Sequence, residues 1–476
     1  MSLEKLLKKV QVVAIMDDQL GDSGKGKFSN FFSEWGEVNA RSTGGNNADH
    51  TAVVNGKEIS FHTVPAGIFY DSLGKITILG NGMVIEPKGL CEELDSLSRA
   101  GLSYNNLQIS KDANVIMPYH IAYDIAKNKS QRTGGIGSTG RGIGPTYTDK
   151  IARRGITIND LYNKGILAEK IKRAMQFYPE QNINIEEIIA GLEQYSEKMK
   201  LMVRDTVSEM HHFIRDGKKI VIESSQGLLL SIEHGTYPYV TSCDVSVNGT
   251  ASGVGISAAA IDLPIGLMKF PYMTRLGGGP FPTEMGGKKA FEYAKNDKAT
   301  KEYELIDNGI PYSKENGIIT YDRNSVLIQE LMHSNDEFDK GIGIRLFANE
   351  YEAIVDRIRR VGWTDAVAAK YAVGINGPKI ILTKCDVFSG MDSFRVCYEY
   401  STGLDSYTDF NKDPNFLNKI IPVNRRYEGY PEISGIRQYE NLPKTLKSAI
   451  FDFEGFTGAD VIAVSVGKDK DETIVR

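Results

Sequence analysis

Short, strongly apolar runs that end at glycine or polar residues constrain the fold of this chain more than any other feature. Five such runs recur along it, at residues 10–16, 75–80, 219–223, 379–383 and 461–465. They are continuously apolar rather than alternating, which is typical of strands buried on both faces of a parallel sheet. Helical stretches such as 183–215 separate them. We therefore predict an α/β fold with a large, mostly parallel central sheet flanked by helices, and a ligand crevice at the carboxyl ends of the strands.

The composition excludes several classes of protein. The 476 residues are 41% hydrophobic and 25% charged, close to the average of globular proteins and unlike collagenous, disordered or disulfide-rich chains. A net charge of −5 argues against a general nucleic-acid binder, so any anion site must be built locally. No run approaches the ~18 apolar residues of a membrane helix, and the four cysteines lack metal-binding spacing. We expect a cytoplasmic protein that binds neither nucleic acid nor membranes.

The domain organisation follows from the same survey. Residues 286–352 are rich in Lys, Glu, Asn and Asp and contain no glycine-bounded apolar run. There is no linker rich in Pro, Gly or Ser and no internal repeat. The sequence predicts one domain over 1–476, with 286–352 as a polar insertion or subdomain within it.

A glycine-rich segment directly after the first apolar run resembles a phosphate-binding loop. Gly21, Gly26 and Lys27 fit most of the GxxxxGK[ST] spacing, although Phe28 stands where a hydroxyl would bind Mg²⁺. The glycines allow successive backbone N–H groups to surround phosphate oxygens, and a helix beginning there adds its dipole. Asp22, inside the loop, is a carboxylate that can replace the missing hydroxyl. A simple glycine turn between strand and helix is the alternative interpretation.

Three further segments carry side chains suited to nucleotide binding. Residues 43–51 combine two amides, a carboxylate and an imidazole, and 137–145 with 152–155 combine hydroxyls with arginines, as a monophosphate site would. In residues 383–386, the Asp386 carboxylate can accept two hydrogen bonds from guanine while the Lys384 stem lies along the base. Each segment also has a simpler interpretation when taken singly. These are an Asx turn for 43–51, a basic surface loop for 137–145 with 152–155, and a chance match for 383–386.

Together these loops resemble the adenylosuccinate synthetase family. Further matching segments lie at residues 61–68, 80–85, 226–227, 234–242, 274–284, 362–365 and 464–469, so the resemblance covers nearly the whole chain. It implies a P-loop-NTPase-like fold with inserted subdomains. It also implies a GTP-dependent C–N ligase that joins IMP and L-aspartate to give adenylosuccinate, GDP and phosphate through 6-phosphoryl-IMP, in the AMP branch of purine nucleotide biosynthesis. Mg²⁺ is the implied cofactor and a homodimer the implied assembly.

The resemblance also assigns roles to individual residues. Asp22 would remove the N1 proton of IMP and contact Mg²⁺, His50 would stabilise the transferring phosphoryl group, and Lys25 would hold phosphates. Gln226 is expected among both the catalytic and the IMP-binding residues. The expected GTP contacts are Gly21, Ser23, Gly24, Lys25, Gly26, Lys27, Lys384, Asp386, Ser465 and Gly467. The expected IMP contacts are Asn47, Thr139, Arg153, Gln226 and Thr241, with Arg153 supplied by the second subunit, and the backbone carbonyl of Asp49 would join Asp22 at the metal.

The sequence departs from the family pattern in four places near the site. Ser23 replaces a glutamate of the loop, Asp49 replaces a glycine before the histidine, and Asp17 and Asp18 replace small residues. The largest departure is in the loop that binds aspartate, which in the family reads TTGRxRR before Gly-Trp and here spans 353–360 without the threonines.

The arginines of that loop persist. Arg357 and Arg359 are expected to bind the amino-acid carboxylate bidentately, whereas Asp356 would repel it. An alternative alignment places residues 337–345 at the start of this loop with an insertion after it, and the hydroxyls are missing there too.

Two alternatives therefore stand beside the synthetase. The same phosphoryl-activation chemistry could serve a different amine or a modified purine monophosphate, or the chain could be a nucleotide-binding protein without catalysis. Retention of Asp22, His50, Lys25 and Arg153 together favours an enzyme, because a binding module needs neither a base nor an acid.

Overall fold

The computed structural model describes residues 3–46, 50–54, 57–130, 140–178, 184–296, 298–315, 317–352 and 356–476. The chain forms two compact units. Unit 1 comprises Met1–Asp17, Gly24–Gly235 and Val240–Ile265, and unit 2 comprises Asp18–Ser23, Thr236–Tyr239 and Gly266–Arg476.

The strands are β1 (Val12–Asp17), β2 (Val38–Gly44), β3 (His50–Val54), β4 (Lys57–Phe61), β5 (Ile76–Ile85), β6 (Leu107–Ser110), β7 (Asn114–Val115), β8 (Val203–Arg204), β9 (Ile220–Glu223), β10 (Leu263–Lys269), β11 (Tyr272–Arg275), β12 (Tyr312–Glu315), β13 (Ile318–Tyr321), β14 (Arg360–Asp365), β15 (Lys379–Thr383), β16 (Ser393–Ser401), β17 (Ser406–Tyr407), β18 (Ile421–Glu428), β19 (Asp460–Ser465) and β20 (Thr473–Val475). The α-helices are α1 (Leu3–Leu7), α2 (Lys25–Ser33), α3 (Pro87–Arg99), α4 (Pro118–Ser130), α5 (Ile143–Ile151), α6 (Lys164–Met175), α7 (Ile185–Met199), α8 (Thr206–Arg215), α9 (Val247–Gly253), α10 (Gly287–Ala294), α11 (Lys301–Asp307), α12 (Val326–Met332), α13 (Glu337–Ala348), α14 (Ala366–Asn376), α15 (Pro414–Leu417) and α16 (Lys444–Thr457).

Unit 1 is built on parallel strands in the order β1-β9-β2-β5-β6-β8. Successive residues of β5 enter different apolar clusters: Ile78 packs with residues of α8 and α9, whereas Leu79 packs with residues of α3, α6 and α7. Because successive side chains of a strand point to opposite faces, helices cover both faces of these strands.

Unit 2 contains two groups of strands. The first has the order β20-β19-β15-β10, in which β10, β15 and β19 are parallel and β20 is an antiparallel edge. The second has the order β11-β14-β16-β17, and β18 also pairs with β16. Between β11 and β14 along the chain, the described residues of 286–352 form helices α10–α13 and the hairpin β12–β13. Their description as an insertion within a single domain stays a prediction.

The predicted fold class is confirmed. All five apolar runs are strands, namely β1, β5, β9, β15 and β19, and the sheet is mostly parallel and flanked by helices. The predicted helical stretch 183–215 is instead two helices, α7 and α8, because a short 3-10 turn and the two residues of β8 separate them. No helix within the described ranges is long and apolar enough to cross a membrane.

Candidate active site

The phosphate-loop segment leaves β1 at Asp17 and enters α2 at Lys25. Its backbone is left-handed at Gly21 (φ 90°), Asp22 (φ 61°) and Gly24 (φ 95°). Glycine adopts this conformation freely, and aspartate tolerates it better than most residues. Backbone turned in this way presents N–H groups to one side, as an anion site requires.

Lys25 and Gln226, two predicted site residues, are in contact in unit 1. The Lys25 ammonium is buried, donates a hydrogen bond to the backbone carbonyl of Gln226, and lies 3.5 Å from a carboxylate oxygen of Asp17. Gln226 has a left-handed backbone, with φ 43°. The unexpected acid at position 17 is thus an ion-pair partner of the loop lysine.

Asp22 and Arg359, predicted for different roles, are in contact in unit 2. The Arg359 Nε atom lies 2.8 Å from Asp22 Oδ2. Arg357 is exposed and is not part of this contact. Asp356, expected to repel a carboxylate, has a cation of its own, because Lys301 Nζ lies 2.6 Å from its Oδ1.

The alternative alignment of the amino-acid loop receives no support from the geometry. Residues 337–345 lie within α13, and the Arg345 guanidinium is buried in an ion pair with Glu304. The arginine that approaches Asp22 is Arg359, just before β14.

A buried pair that the sequence analysis missed lies beside Arg359. The Lys269 ammonium is 2.8 Å and 2.9 Å from the two carboxylate oxygens of Glu350. Arg359 Nη1 is 3.4 Å from Glu350 Oε2, and Lys384 Nζ is 3.7 Å from Oε1. Lys269 ends the apolar strand β10, so it could have been found by the signal that singled out Lys384 after β15. Glu350 follows a helix and carries no comparable signal.

The predicted guanine contacts lie at the carboxyl ends of neighbouring parallel strands. Lys384 and Asp386 follow β15, while Ser465 ends β19 and Gly467 comes two residues later. Lys384 has a left-handed backbone, with φ 59°. A Cβ atom on Gly467 would lie 2.1 Å from a carboxylate oxygen of Glu472, so the Glu472 side chain would have to move to admit one. The strand order therefore brings these four residues to one edge.

Arg153 and Thr241, expected at the monophosphate, lie in unit 1. Arg153 is exposed with φ 61°, and within the described residues its guanidinium makes no hydrogen bond or ion pair. The adjacent Arg154 is instead held by Asp149, whose carboxylate accepts from its Nε at 2.8 Å. The backbone N–H of Thr241 donates to the carbonyl of Leu230 at 2.7 Å.

Several predicted residues fall on undescribed parts of the chain. Asn47, Asp49 and Thr139 lie outside the described residues, and His50 is described only through its backbone, which begins β3. Arg41 anchors the chain before residue 47 and after β4. Its guanidinium donates hydrogen bonds to the carbonyls of Gly45 and His62 at 3.3 Å and 2.6 Å.

Glu93 supplies a second anchor. Its carboxylate accepts hydrogen bonds from the successive backbone N–H groups of His62, Thr63 and Val64 at 2.9–3.1 Å. Neither anchor is evident from the sequence, because His62 lies 21 residues from Arg41 and the groups that Glu93 binds lie 29–31 residues from it.

The donors present suit Mg²⁺ rather than a metal held by protein alone. No cluster of three His, Cys, Asp or Glu side chains able to hold a metal occurs in the described part of the chain. Mg²⁺ is usually bound by one or two carboxylates together with substrate phosphates and water. One carboxylate, that of Asp22, in a phosphate-type loop fits that pattern.

Parallel strands covered on both faces, a glycine loop leading into a helix, and polar residues at the strand ends define an α/β nucleotide-binding enzyme of the phosphate-loop type. The family model described as adenylosuccinate synthetase matches residues 14–474, and the chain belongs to this family. It is accordingly a C–N ligase that joins IMP and L-aspartate at the expense of GTP, in a family that uses Mg²⁺.

Comparison with individual proteins agrees. The chain is 35% identical to the adenylosuccinate synthetase of Halothermothrix orenii, over 97% of this chain and 98% of that protein. The fully ligated adenylosuccinate synthetase of Plasmodium falciparum superposes with a TM-score of 0.81 at 29% identity, covering 98% of this chain and 100% of that one. The succinoaminodeoxyadenylate synthetase of cyanophage S-2L, bound to dGMP and dATP, has a TM-score of 0.57 at 18% identity over 98% and 95% of the two chains, and shares the fold.

Proposed function

We propose that this chain carries out its ligase reaction in two steps, with Asp22 as the base and Arg359 as the group that binds the anionic reactant. The observation that carries this proposal is the 2.8 Å contact between Asp22 Oδ2 and Arg359 Nε. This contact supports the proposal, because the reaction needs a proton acceptor and a hydrogen-bond donor to an anion close together, where the purine meets the acidic amine.

In the first step, Asp22 takes the N1 proton of IMP as O6 attacks the γ-phosphorus of GTP. The bond from the γ-phosphorus to the β-phosphate oxygen breaks, and 6-phosphoryl-IMP and GDP form. In the second step, the aspartate amine bonds to C6, the C6–O bond breaks, and phosphate leaves with a proton from the amine. Asp22 then releases the N1 proton to solvent. Lys25, His50, Gln226 and the loop N–H groups stabilise the charge that develops during transfer.

The nucleotide contacts divide between the two substrates. For GTP, the loop residues Gly21, Ser23, Gly24, Gly26 and Lys27 hold phosphates, and Lys384, Asp386, Ser465 and Gly467 frame guanine. Adjacent strand ends support this assignment, because ligands of parallel sheets bind at that edge.

Mg²⁺ is assigned to the Asp22 carboxylate and the Asp49 backbone carbonyl. When bound, it neutralises phosphate charge during the transfer.

For IMP, we assign Asn47, Thr139, Gln226 and Thr241, with Arg153 from the second subunit of a homodimer. The support for the last assignment is that Arg153 is exposed in a left-handed turn, whereas its neighbour Arg154 is tied to Asp149. We place the reaction in the cytoplasm, since all four cysteines are free thiols, as expected of a reducing compartment.

The test is release of phosphate from GTP, measured with IMP alone, with L-aspartate alone and with both. Release that requires both substrates, together with formation of adenylosuccinate, is the expected result. Release that requires IMP and an amine other than aspartate would show that a different amine is the substrate. Other amines should be screened because the loop sequence at 353–360 departs from the family pattern. Nucleotide binding without release of phosphate under any of these conditions would overturn the proposed catalytic mechanism.

A further inference from the structure

Glu350 is a buried carboxylate placed by the end of a helix. Helix α13 ends at Ala348, and Asn349 adopts a left-handed backbone (φ 55°) that turns the chain. The backbone N–H of Glu350 then donates to the carbonyl of Arg345 at 2.9 Å, and its side chain is 2% exposed. Asparagine is, after glycine, among the residues best suited to this turn.

Three cations and one hydroxyl surround this carboxylate. Lys269 bonds to both oxygens at 2.8 Å and 2.9 Å, and the Tyr272 hydroxyl donates to Oε1 at 2.7 Å. Arg359 lies 3.4 Å from Oε2, and Lys384 lies 3.7 Å from Oε1. The backbone N–H of Arg359 also donates to the Glu350 carbonyl at 3.0 Å. Glu350 therefore contacts the residue proposed for the amino acid and the residue proposed for guanine.

The charges of this cluster leave an excess of one cation. Lys269, Arg359 and Lys384 form ion pairs with Glu350 or Asp22, which gives a net charge of +1 among these five side chains. Although desolvation opposes ionisation, the charges of Lys269, Lys384 and Arg359 hold the pKa of Glu350 well below its usual range.

The three cations differ in their exposure to solvent. Lys269 is fully buried, whereas Arg359 and Lys384 are 14% and 34% exposed. The two more exposed cations retain access to an incoming anion.

We propose that Glu350 is a positioning residue that orients both Arg359 and Lys384, and thereby couples binding of the amino-acid carboxylate to binding of the guanine nucleotide. This inference rests on the proposed roles of those two residues. The geometric basis is that one rigid carboxylate, fixed by Lys269 and Tyr272, is shared by both side chains.

Glu304 provides a matched control in the same unit. It is also a fully buried glutamate, bonded to Arg345 at 3.0 Å and 3.1 Å through Nε, and it accepts from the Tyr351 hydroxyl at 2.6 Å. It has the same kind of partners as Glu350, but among the described residues it contacts no proposed site residue.

The experiment compares Glu350→Gln with Glu304→Gln in the full-length protein by steady-state kinetics. For Glu350→Gln we expect KM for L-aspartate and for GTP to rise about tenfold each, because a neutral amide no longer attracts Arg359 or Lys384, with KM for IMP changed less than about twofold. Glu304→Gln should lower Tm without raising either KM selectively. Unchanged KM values in Glu350→Gln, or an equal rise for IMP, would overturn the inference.

Tyr272→Phe is the second variant, in case Glu350→Gln does not fold. It removes only the hydroxyl that orients Glu350, so the same two KM values should rise about threefold, and no selective rise would count against the positioning role. Failure of the proposed function is recognised separately, because the wild-type protein would then lack ligase activity. Normal wild-type activity with unaltered variants refutes the positioning role alone.

Discussion

Several proposed site residues share a left-handed backbone despite carrying a side chain. Six non-glycine residues of the described ranges have φ between 43° and 61°, and four of them are Asp22, Arg153, Gln226 and Lys384. Such conformations cost about 1–3 kcal/mol each and concentrate at functional sites, where surrounding contacts hold them. Four of the six are therefore residues to which the sequence resemblance assigns roles, and the other two are Asn349 and Asp356.

Asp22 gives the first prediction. Asp22→Asn should lower kcat by about 10²–10⁴-fold, because an amide cannot take the N1 proton. Asparagine tolerates the φ of 61° found at this position, so the loop should keep its shape, whereas alanine would add backbone strain. The measurement is single-turnover formation of GDP in the presence of IMP.

Binding of GDP, followed by calorimetry, is the control for Asp22→Asn and should stay within a few-fold of wild type. Near-normal turnover in this variant would remove Asp22 from the role of base.

At the scale of single elements, the start of helix α14 contains an unusual cap. Asp365 accepts from the backbone N–H of Ala368 at 3.0 Å and from the Tyr400 hydroxyl at 2.6 Å. Desolvation raises the pKa of this buried carboxyl to about 6, against the opposing effect of those hydrogen bonds. Between about pH 4 and pH 6 the folded state therefore binds a proton that the unfolded state has released, so this group stabilises the fold as pH falls.

Asp365→Asn should remove that pH dependence while its side-chain carbonyl still caps the helix. The free energy of unfolding of wild type relative to the variant should increase by up to ~3 kcal/mol between pH 7 and pH 4, as measured by urea denaturation. Asp205→Asn, at the cap of α8, should show the opposite sign, because the hydrogen bond from Lys111 lowers the pKa of Asp205. The same difference at both pH values would refute the assignment for Asp365.

Strand β10 is restricted at Gly266. A Cβ atom there would lie 1.8 Å from Asp18 Oδ2, and Asp18 is held by the Asn376 amide, which donates to Oδ1 at 2.6 Å. Gly266→Ala should therefore reduce the free energy of unfolding by about 1–3 kcal/mol, measured by urea denaturation, because overpacking forces the strand or the carboxylate to move.

Two comparisons make the Gly266→Ala measurement specific. Adding Asp18→Ala should restore part of the loss. Gly374→Ala, in α14 where a Cβ meets nothing within 4 Å, should be neutral or stabilising. Equal effects at Gly266 and Gly374 would exclude the steric explanation.

The sequence predicted the positions of the central strands better than it predicted strand pairing or contacts between distant side chains. Continuous apolar runs identified β1, β5, β9, β15 and β19, because burial on both faces leaves an unambiguous pattern. It did not predict the group containing β11, β14 and β16, in which parallel and antiparallel pairs are mixed. Nor did it find the Lys269–Glu350 pair, since 81 residues separate its members and no local pattern records such a contact.

At the scale of the whole molecule, the proposed homodimer has a direct test. If Arg153 acts on the partner's site, a hybrid of an Arg153→Leu chain and an Asp22→Asn chain contains one intact site and one doubly defective site. Random mixing makes half of the dimers hybrids, so about a quarter of wild-type activity should return from two inactive variants. Activity after mixing, unfolding and refolding the two chains together is the measurement.

A mixture that stays inactive, while equally treated wild type recovers, would show that Arg153 serves its own subunit. The proposed site residues were identified through ordered motifs along the chain, and the role of Arg153 across subunits comes from the same family resemblance, with which its exposure agrees.

The shared carboxylate of Glu350 also bears on how this enzyme could diverge. A substitution that adapts Arg359 to another amine would disturb Lys384 through the same two oxygen atoms. A change of amine substrate and a change of guanine nucleotide would then evolve together rather than independently. A lineage that acquires a new amine would need compensating substitutions around the guanine site.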